Sequence, residues 1–211
     1  MEILPVINCS DKECLEQRVQ ALHTILPSGG WVHVDVADGR ITFHKPWVSP
    51  EWWEKVGMGL KLEVHLMVEE PEEAVKVWLR AGAKRVIVHL ETVANVEHIA
   101  ALCKGAGAAL MLSVNPETSV ERLRPYFDAI REYQVLAVNP GLAGQKFLPL
   151  TMEKVRVIRR DVPEARIEVD GGIIPETARI AKAAGADAAT SSSFIFDNED
   201  PKLALAMLAQ I

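Results

Sequence analysis

The chain is poor in cysteine, with only 3 in 211 residues. Cys9, Cys14 and Cys103 make an odd count and lack the pair spacing of a thiolate metal site. A reduced chain in the cytoplasm is the simplest fit; Cys9 and Cys14 are close enough in sequence to approach each other, and no functional role is assigned to either. No apolar run reaches the ~18 residues that a membrane-spanning helix needs, and no basic or apolar leader follows Met1, so no membrane partner is expected. Positive charge is also short. Against 29 Asp and Glu stand 23 Lys and Arg, a formal net charge of −6, which argues against nucleic acid or an acidic membrane surface as the main partner. No linker, low-complexity segment or second domain is visible, so residues 1–211 are read as one domain.

What is present is a regular alternation. Short apolar runs at residues 2–8, 31–37, 61–67, 86–91, 108–114, 133–138, 166–169 and 186–191 read as strands. Helical patterns separate them. Leu15, Val19, Leu22 and Leu26 recur on one helical face after a cap at Ser10 or Asp11. Later helices are expected at residues 72–81, 93–104, 149–160, 175–184 and 200–210, with one more after Thr118 or Ser119 and a short piece at Trp52 and Trp53. Such alternation calls for a parallel sheet with helices outside. Eight units argue for a closed (β/α)8 TIM barrel. An open doubly wound sheet is the alternative fold, and the lack of a glycine-rich dinucleotide fingerprint after the first strand counts against its nicotinamide-binding version.

The stretch Trp31-Val32-His33-Val34-Asp35-Val36-Ala37-Asp38-Gly39 organises the functional reading. Residues two apart on a strand share a face, so His33 and Asp35 point one way and the valines the other. The alternative is an edge strand with two solvated polar residues. In a barrel, activity gathers at the C-terminal ends of the strands, where polar residues collect: His65 on the third strand, His89 and Glu91 on the fourth, Asn115 and Asn139 after the fifth and sixth, and Asp170 on the seventh. His33, Asp35, His65 and Asp170 form an N2O2 set suited to a divalent transition ion, zinc first, with iron, manganese or cobalt as alternatives. His89 and Glu91 suit either the orientation of a ligand or a satisfied buried pair.

A second feature is a set of small-residue loops. Gly141-Leu142-Ala143-Gly144 follows the sixth strand, Gly171-Gly172 the seventh and Ser192-Ser193 the eighth. Glycines let backbone N–H groups turn toward an anion, and barrels often seat a phosphate near strands seven and eight. Tight turns are the plain alternative. A metal beside a phosphate pocket suggests a phosphorylated ketose whose C3 proton is acidified, with Asp35 and Asp170 as opposed carboxylates removing and returning it. That is 3-epimerase chemistry. The residues alone leave an aldolase-type reaction open, although no lysine stands at a strand end as a Schiff-base nucleophile.

These motifs resemble the ribulose-phosphate 3-epimerase family. The matching segments are His33-Val34-Asp35-Val36-Ala37-Asp38-Gly39, Val64-His65-Leu66-Met67-Val68, Val88-His89-Leu90-Glu91, residues 138–147 and Glu168-Val169-Asp170-Gly171-Gly172, with Pro175-Glu176-Thr177 and Ile195-Phe196. The resemblance implies a (β/α)8 barrel with one divalent metal on His33, Asp35, His65 and Asp170. It implies acid/base roles for Asp35 and Asp170, and phosphate binding around Gly141, Leu142, Ala143, Gly144, Gly171, Gly172, Ser192 and Ser193, with His65 and Met67 at the substrate. It also implies interconversion of D-ribulose 5-phosphate and D-xylulose 5-phosphate in a homo-oligomer, from dimer to hexamer.

The departures from the family pattern lie along the substrate wall. Val6 stands for a serine, Asn8 for an apolar residue, Ala37 and Leu136 for pocket methionines, and Ala143 and Ser192 for glycines. An added Cβ at Ala143 or Ser192 is expected to crowd a backbone cradle, while the Ser192 hydroxyl offers a donor. Two alternatives follow from them: an epimerase of a hexulose 6-phosphate, and a non-catalytic barrel that binds a sugar phosphate. The loop at residues 40–50, with His44, Lys45 and Trp47, is either a cover for the pocket or a plain surface loop.

Overall fold

Each strand is rich in β-branched and aliphatic residues and is buried on both sides, the signature of a parallel sheet covered by helices. In the computed structural model, described for residues 1–42, 45–57, 59–140 and 145–211, these strands close on themselves. They are β1 (Glu2–Ile7), β2 (Trp31–Ala37), β3 (Lys61–Met67), β4 (Arg85–His89), β5 (Ala109–Val114), β6 (Glu132–Leu136), β7 (Arg166–Asp170) and β8 (Ala188–Ser191). Every neighbour pair is parallel, and β8 returns to β1 with Leu4 opposite Thr190. The chain is a (β/α)8 TIM barrel. A closed barrel has no edge strand, so the solvated-edge reading of His33 and Asp35 is removed.

The helices are α1 (Lys12–Ile25), α2 (Pro50–Val56), α3 (Pro71–Arg80), α4 (Val96–Gly105), α5 (Met152–Asp161), α6 (Pro175–Ala184), α7 (Ser193–Phe196) and α8 (Pro201–Ala209). Asp11, rather than Ser10, caps α1 by accepting from the Cys14 N–H at 2.9 Å, an interaction worth about 1 kcal/mol. The helix expected after β5 is a 3-10 helix, Val120–Tyr126, with Ser119 as its cap and Pro125 inside it. In an α-helix the Pro125 ring would clash with the carbonyl of Glu121. The short helix α7 has too few residues for a visible period. Glu91 lies past the end of β4, in a turn, because the strand stops at His89.

The apolar core lies between strands and helices. Val32 and Val34 of β2, Val64 and Leu66 of β3, Leu15 and Leu22 of α1 and Val75 and Trp78 of α3 all belong to it. The opposite strand face, turned into the barrel, is unusually polar. Below the mouth, buried Glu63, Arg85, Gln134, Ser113 and Glu168 replace much of the branched aliphatic filling usual in such barrels. They remain inside because they pair: Arg85 Nη1 donates to Glu63 at 2.6 Å, Gln134 Nε2 to Glu168 at 3.1 Å and Ser113 Oγ to Gln134 at 2.7 Å.

The low cysteine count favours a reduced chain, but Cys9 and Cys14 are joined as a disulfide. The turn from β1 into α1 folds back on itself, placing their Cα atoms 5.7 Å apart, within the range a disulfide requires. Cys103 is the free, buried thiol, and burial pushes its pKa up to about 11, which suppresses the reactive thiolate. Among the described residues, no helix is long and apolar enough to cross a membrane. Thiol titration of the unfolded, unreduced chain is therefore expected to find Cys103 alone, and all three cysteines after reduction. Three reactive thiols before reduction would show the Cys9–Cys14 bond to be absent.

Candidate active site

β2 and β3 pair residue for residue, with His33 opposite Glu63 and Asp35 opposite His65. This register turns two i, i+2 patterns into one patch. Asp35 Oδ1 lies 3.2 Å from His33 Nε2 and 3.1 Å from His65 Nδ1. Asp170 reaches the same patch from β7, with Oδ2 at 3.7 Å from His65 Nδ1. Neighbouring strands thus supply three of the four residues, and β7 the fourth from across the mouth. One donor atom from each of His33, Asp35, His65 and Asp170 fits within a mutual distance of 4.8 Å.

Hydrogen bonds beyond the patch decide which way the imidazoles face. His33 Nδ1 is 2.6 Å from Glu63 Oε1. Burial pushes the Glu63 pKa up, but the hydrogen bond from His33 and the charge of Arg85 pull it below the ordinary value, so Glu63 is ionised. An ionised Glu63 only accepts, so His33 donates through Nδ1–H. A neutral His33 then presents a lone pair at Nε2, facing an Asp35 oxygen that is also an acceptor. Two acceptors at 3.2 Å require a proton or a metal cation between them. Burial alone would raise the Asp35 pKa; the hydrogen bonds to His33 and His65 override it and hold the carboxyl far below the usual range.

His65 continues the pattern. Its ring stacks on His89 at 4.9 Å, and His65 Nε2 lies 2.8 Å from His89 Nε2. If His65 Nε2 donates, its Nδ1 lone pair faces Asp35 and the His89 proton sits on Nδ1, aimed at Glu91 Oε2 at 3.6 Å. Glu91 is anchored in turn by the Thr118 hydroxyl and by the Asn115 N–H at 3.0 Å. Burial lowers the His89 pKa, disfavouring the imidazolium. Beneath His33, burial and the neighbouring Glu63 charge push the Glu168 pKa well above the ordinary value, so Glu168 retains its proton.

The loops expected to hold phosphate open into the same pocket as the carboxylates. Asp35 and Asp170 share it with Gly171, Gly172, Ser192 and Ser193. Gly171 and Gly172 have φ values of +105° and +66°, and a Cβ at either would collide with Val138 or with the Phe147 backbone, so both positions require glycine. The Ser192 hydroxyl points away from that role: it accepts from Arg18 Nη1 at 2.8 Å and donates to the Val6 carbonyl at 3.2 Å. Val6, Met67 and Leu136 form the apolar wall. Ala37 is buried opposite Met67. Gly141, Leu142, Ala143 and Gly144, like His44 of the 40–50 loop, lie outside the described residues.

The ribulose-phosphate 3 epimerase family model matches residues 2–196. The chain belongs to that family. It is 35% identical over 208 residues to a ribulose-phosphate 3-epimerase of Chlamydia muridarum, covering 93% of this chain and 89% of the relative. It is 31% identical over 214 residues to one of Mycobacterium bovis, covering 98% and 90%. Among solved structures it resembles a 3-hexulose-6-phosphate synthase from Salmonella typhimurium, with a TM-score of 0.75, 16% identity and coverage of 100% and 97%. It also resembles KGPDC from Streptococcus mutans in complex with D-R5P, with a TM-score of 0.74, 12% identity and coverage of 99% and 95%. At such identities these structures show the shared fold alone.

Several residues of the site were not singled out from sequence. Glu63 and Arg85 orient His33 from below, and Glu168 sits beside them. A signal was present, since Glu63 alternates with His65, and Glu168 with Asp170, as His33 does with Asp35. Asn8 and Thr190 also reach the two carboxylates. For Glu91, burial raises the pKa, but the facing His89 and hydrogen bonds from Thr118 and Asn115 bring it from 4.5 down to about 2. A lowered folded-state pKa stabilises the fold above the unfolded value and is lost on acidification. Glu91→Gln is therefore expected to flatten the fall in stability between pH 4.5 and about 2, measured by urea unfolding at each pH. An unchanged acid limb would remove Glu91 as its source.

Proposed function

We propose that the chain is a metal-dependent ketose-phosphate 3-epimerase that interconverts D-ribulose 5-phosphate and D-xylulose 5-phosphate. The observation that carries this reading is one pocket holding two carboxylates, Asp35 and Asp170, together with the glycine and serine loops of β7 and β8. The family match and the relatives' names support the same substrate. His33 Nε2, Asp35, His65 Nδ1 and Asp170 would hold the divalent ion, and their nitrogen and oxygen donors suit zinc, with iron, manganese or cobalt as alternatives. His33 Nε2 and Asp35 Oδ1, 3.2 Å apart, fit such a cation in place of the proton they otherwise share. Held by these residues, such an ion would supply Lewis-acid chemistry at the ketose C2 carbonyl and offset the negative charge that develops there.

The remaining work falls to the chain itself. Gly171 and Gly172 bring the backbone itself to the pocket wall, where its N–H groups would face a phosphate, and Ser193 lines the pocket beside them. Val6, Met67 and Leu136 line the sugar with apolar surface and exclude water, which strengthens electrostatic interactions inside the pocket. One aspartate takes the C3 proton from its face of the sugar, and the other returns a proton to the opposite face. Asp35 and Asp170 come from β2 and β7, strands that are not neighbours in the barrel, which supports placing them on different sides of that carbon. Glu63 fixes His33, and the His89–Glu91 pair fixes His65, as hydrogen-bond partners of metal ligands commonly do.

The altered wall residues Val6, Asn8 and Leu136 favour a second reading, an epimerase of hexulose 6-phosphates. Exposed apolar side chains, including Leu150 at 90% and Leu203 at 57% exposure, support a homo-oligomer.

Proton NMR of D-ribulose 5-phosphate in D2O tests the main reading. Deuterium at C3 together with xylulose 5-phosphate is the expected result; exchange on hexulose phosphates alone would move the assignment to the second reading. Asp170→Asn is expected to abolish C3 exchange while preserving the fold, and unchanged turnover would end its acid/base role. His65→Ala is expected to lower bound metal, measured by elemental analysis of the purified protein, and His89→Ala to weaken metal affinity by about 10–100-fold. A full metal equivalent in His65→Ala would remove His65 as a ligand.

A further inference from the structure

We propose that Asn8 and Thr190 are a matched pair of positioning residues, each holding the outer oxygen of one acid/base carboxylate, so that the two proton-transfer steps stay balanced. The proposal rests on the epimerase reading above. β7, β8, β1 and β2 lie side by side across the seam of the barrel. Asp170 of β7 stands opposite Thr190 of β8. On the other side of the seam, Val6 and Ile7 of β1 pair with His33 and Val34 of β2, and Asn8 follows one step on, beside Asp35. The four side chains thus follow one another around the pocket that all four line.

Their hydrogen bonds repeat one design. Asp35 turns Oδ1 toward His33 and His65, and Oδ2 accepts from Asn8 Nδ2 at 2.6 Å. Asp170 turns Oδ2 toward His65, and Oδ1 accepts from the Thr190 hydroxyl. Each carboxylate therefore has one oxygen on the histidine side and the other capped by a neutral donor. Neutral donors suit this place. They fix the carboxylate's rotation without adding a charge, and they stabilise the anion over the acid. Removing one makes its carboxylate less well oriented for proton transfer, while the opposite face keeps its geometry. Apolar residues of similar size, Leu at position 8 and Val at position 190, remove only the donor.

The loss of one hydrogen bond to a charged group corresponds to a fall in kcat of roughly tenfold, with KM little changed. The distinguishing readout is the deuterium isotope effect on kcat/KM, measured with each pentulose 5-phosphate deuterated at C3. In Asn8→Leu the step at Asp35 becomes more rate-limiting. The isotope effect is expected to rise for the epimer whose C3 hydrogen faces Asp35 and to fall for the other. Thr190→Val is expected to give the mirror image, and Thr190→Ser, which keeps the hydroxyl, to restore the wild-type pattern. A structural disturbance has no reason to act on the two epimers in opposite senses. If Asn8→Leu fails to fold, Asn8→Ala reads the same two isotope effects. Wild-type protein without C3 exchange would overturn the epimerase reading and this proposal with it. Wild-type exchange, with both isotope effects moving together or neither moving in the variants, would overturn the pairing alone.

Discussion

The site depends on one shared carboxylate oxygen. Asp35 Oδ1 lies within 3.2 Å of two imidazoles, one on its own strand and one on the next, and this contact exists only because β2 and β3 pair in a single register. A slip by one residue would turn every side chain of a strand to its other face. His33 and Asp35 would then enter the apolar layer against the helices, and the valines would fill the mouth. Closure of the barrel prevents the slip, since each strand is held on both sides.

A polar barrel interior is costly, and its organisation shows how the cost is met. Burying an ion without a partner costs several kcal/mol, on the order of what a buried salt bridge is rarely able to recover in full. Here the ions are chained. Arg85 pairs with Glu63, which accepts from His33, while Glu168 avoids the problem by keeping its proton. Below the mouth, this network does for the imidazole of His33 what His89 and Glu91 do for that of His65. Both hold a ring nitrogen directed at Asp35, so the orientation of the site is built in from beneath and from the side.

Much of this was legible in the sequence. The apolar runs located all eight strands because fully buried parallel strands have little choice of composition, and His33, Asp35, His65 and Asp170 stood out as polar residues within them. Other features were not legible locally. The 3-10 helix after β5 depends on a proline inside a segment that otherwise reads as helical, and α7 is too short to show a period. Glu63 and Glu168 follow the same alternation as the site residues but look like ordinary surface acids until the barrel closes over them. The Cys9–Cys14 bond needed the path of the β1–α1 turn, which spacing alone does not describe.

The sequence by itself determined the class of fold and the chemical character of the site. Hydrophobic periodicity is a local property that survives without tertiary contacts, and nitrogen and oxygen donors announce themselves by residue type. Only the tertiary structure decided which donors meet. It placed β7 and β2 either side of the β8–β1 seam, brought Thr190 to Asp170 and Asn8 to Asp35, and turned the Ser192 hydroxyl toward Arg18 and Val6. Those are contacts between residues as far apart as 186 positions in the chain. They follow from strand register and barrel closure, which arise from pairing between distant segments and are not recorded within any one of them.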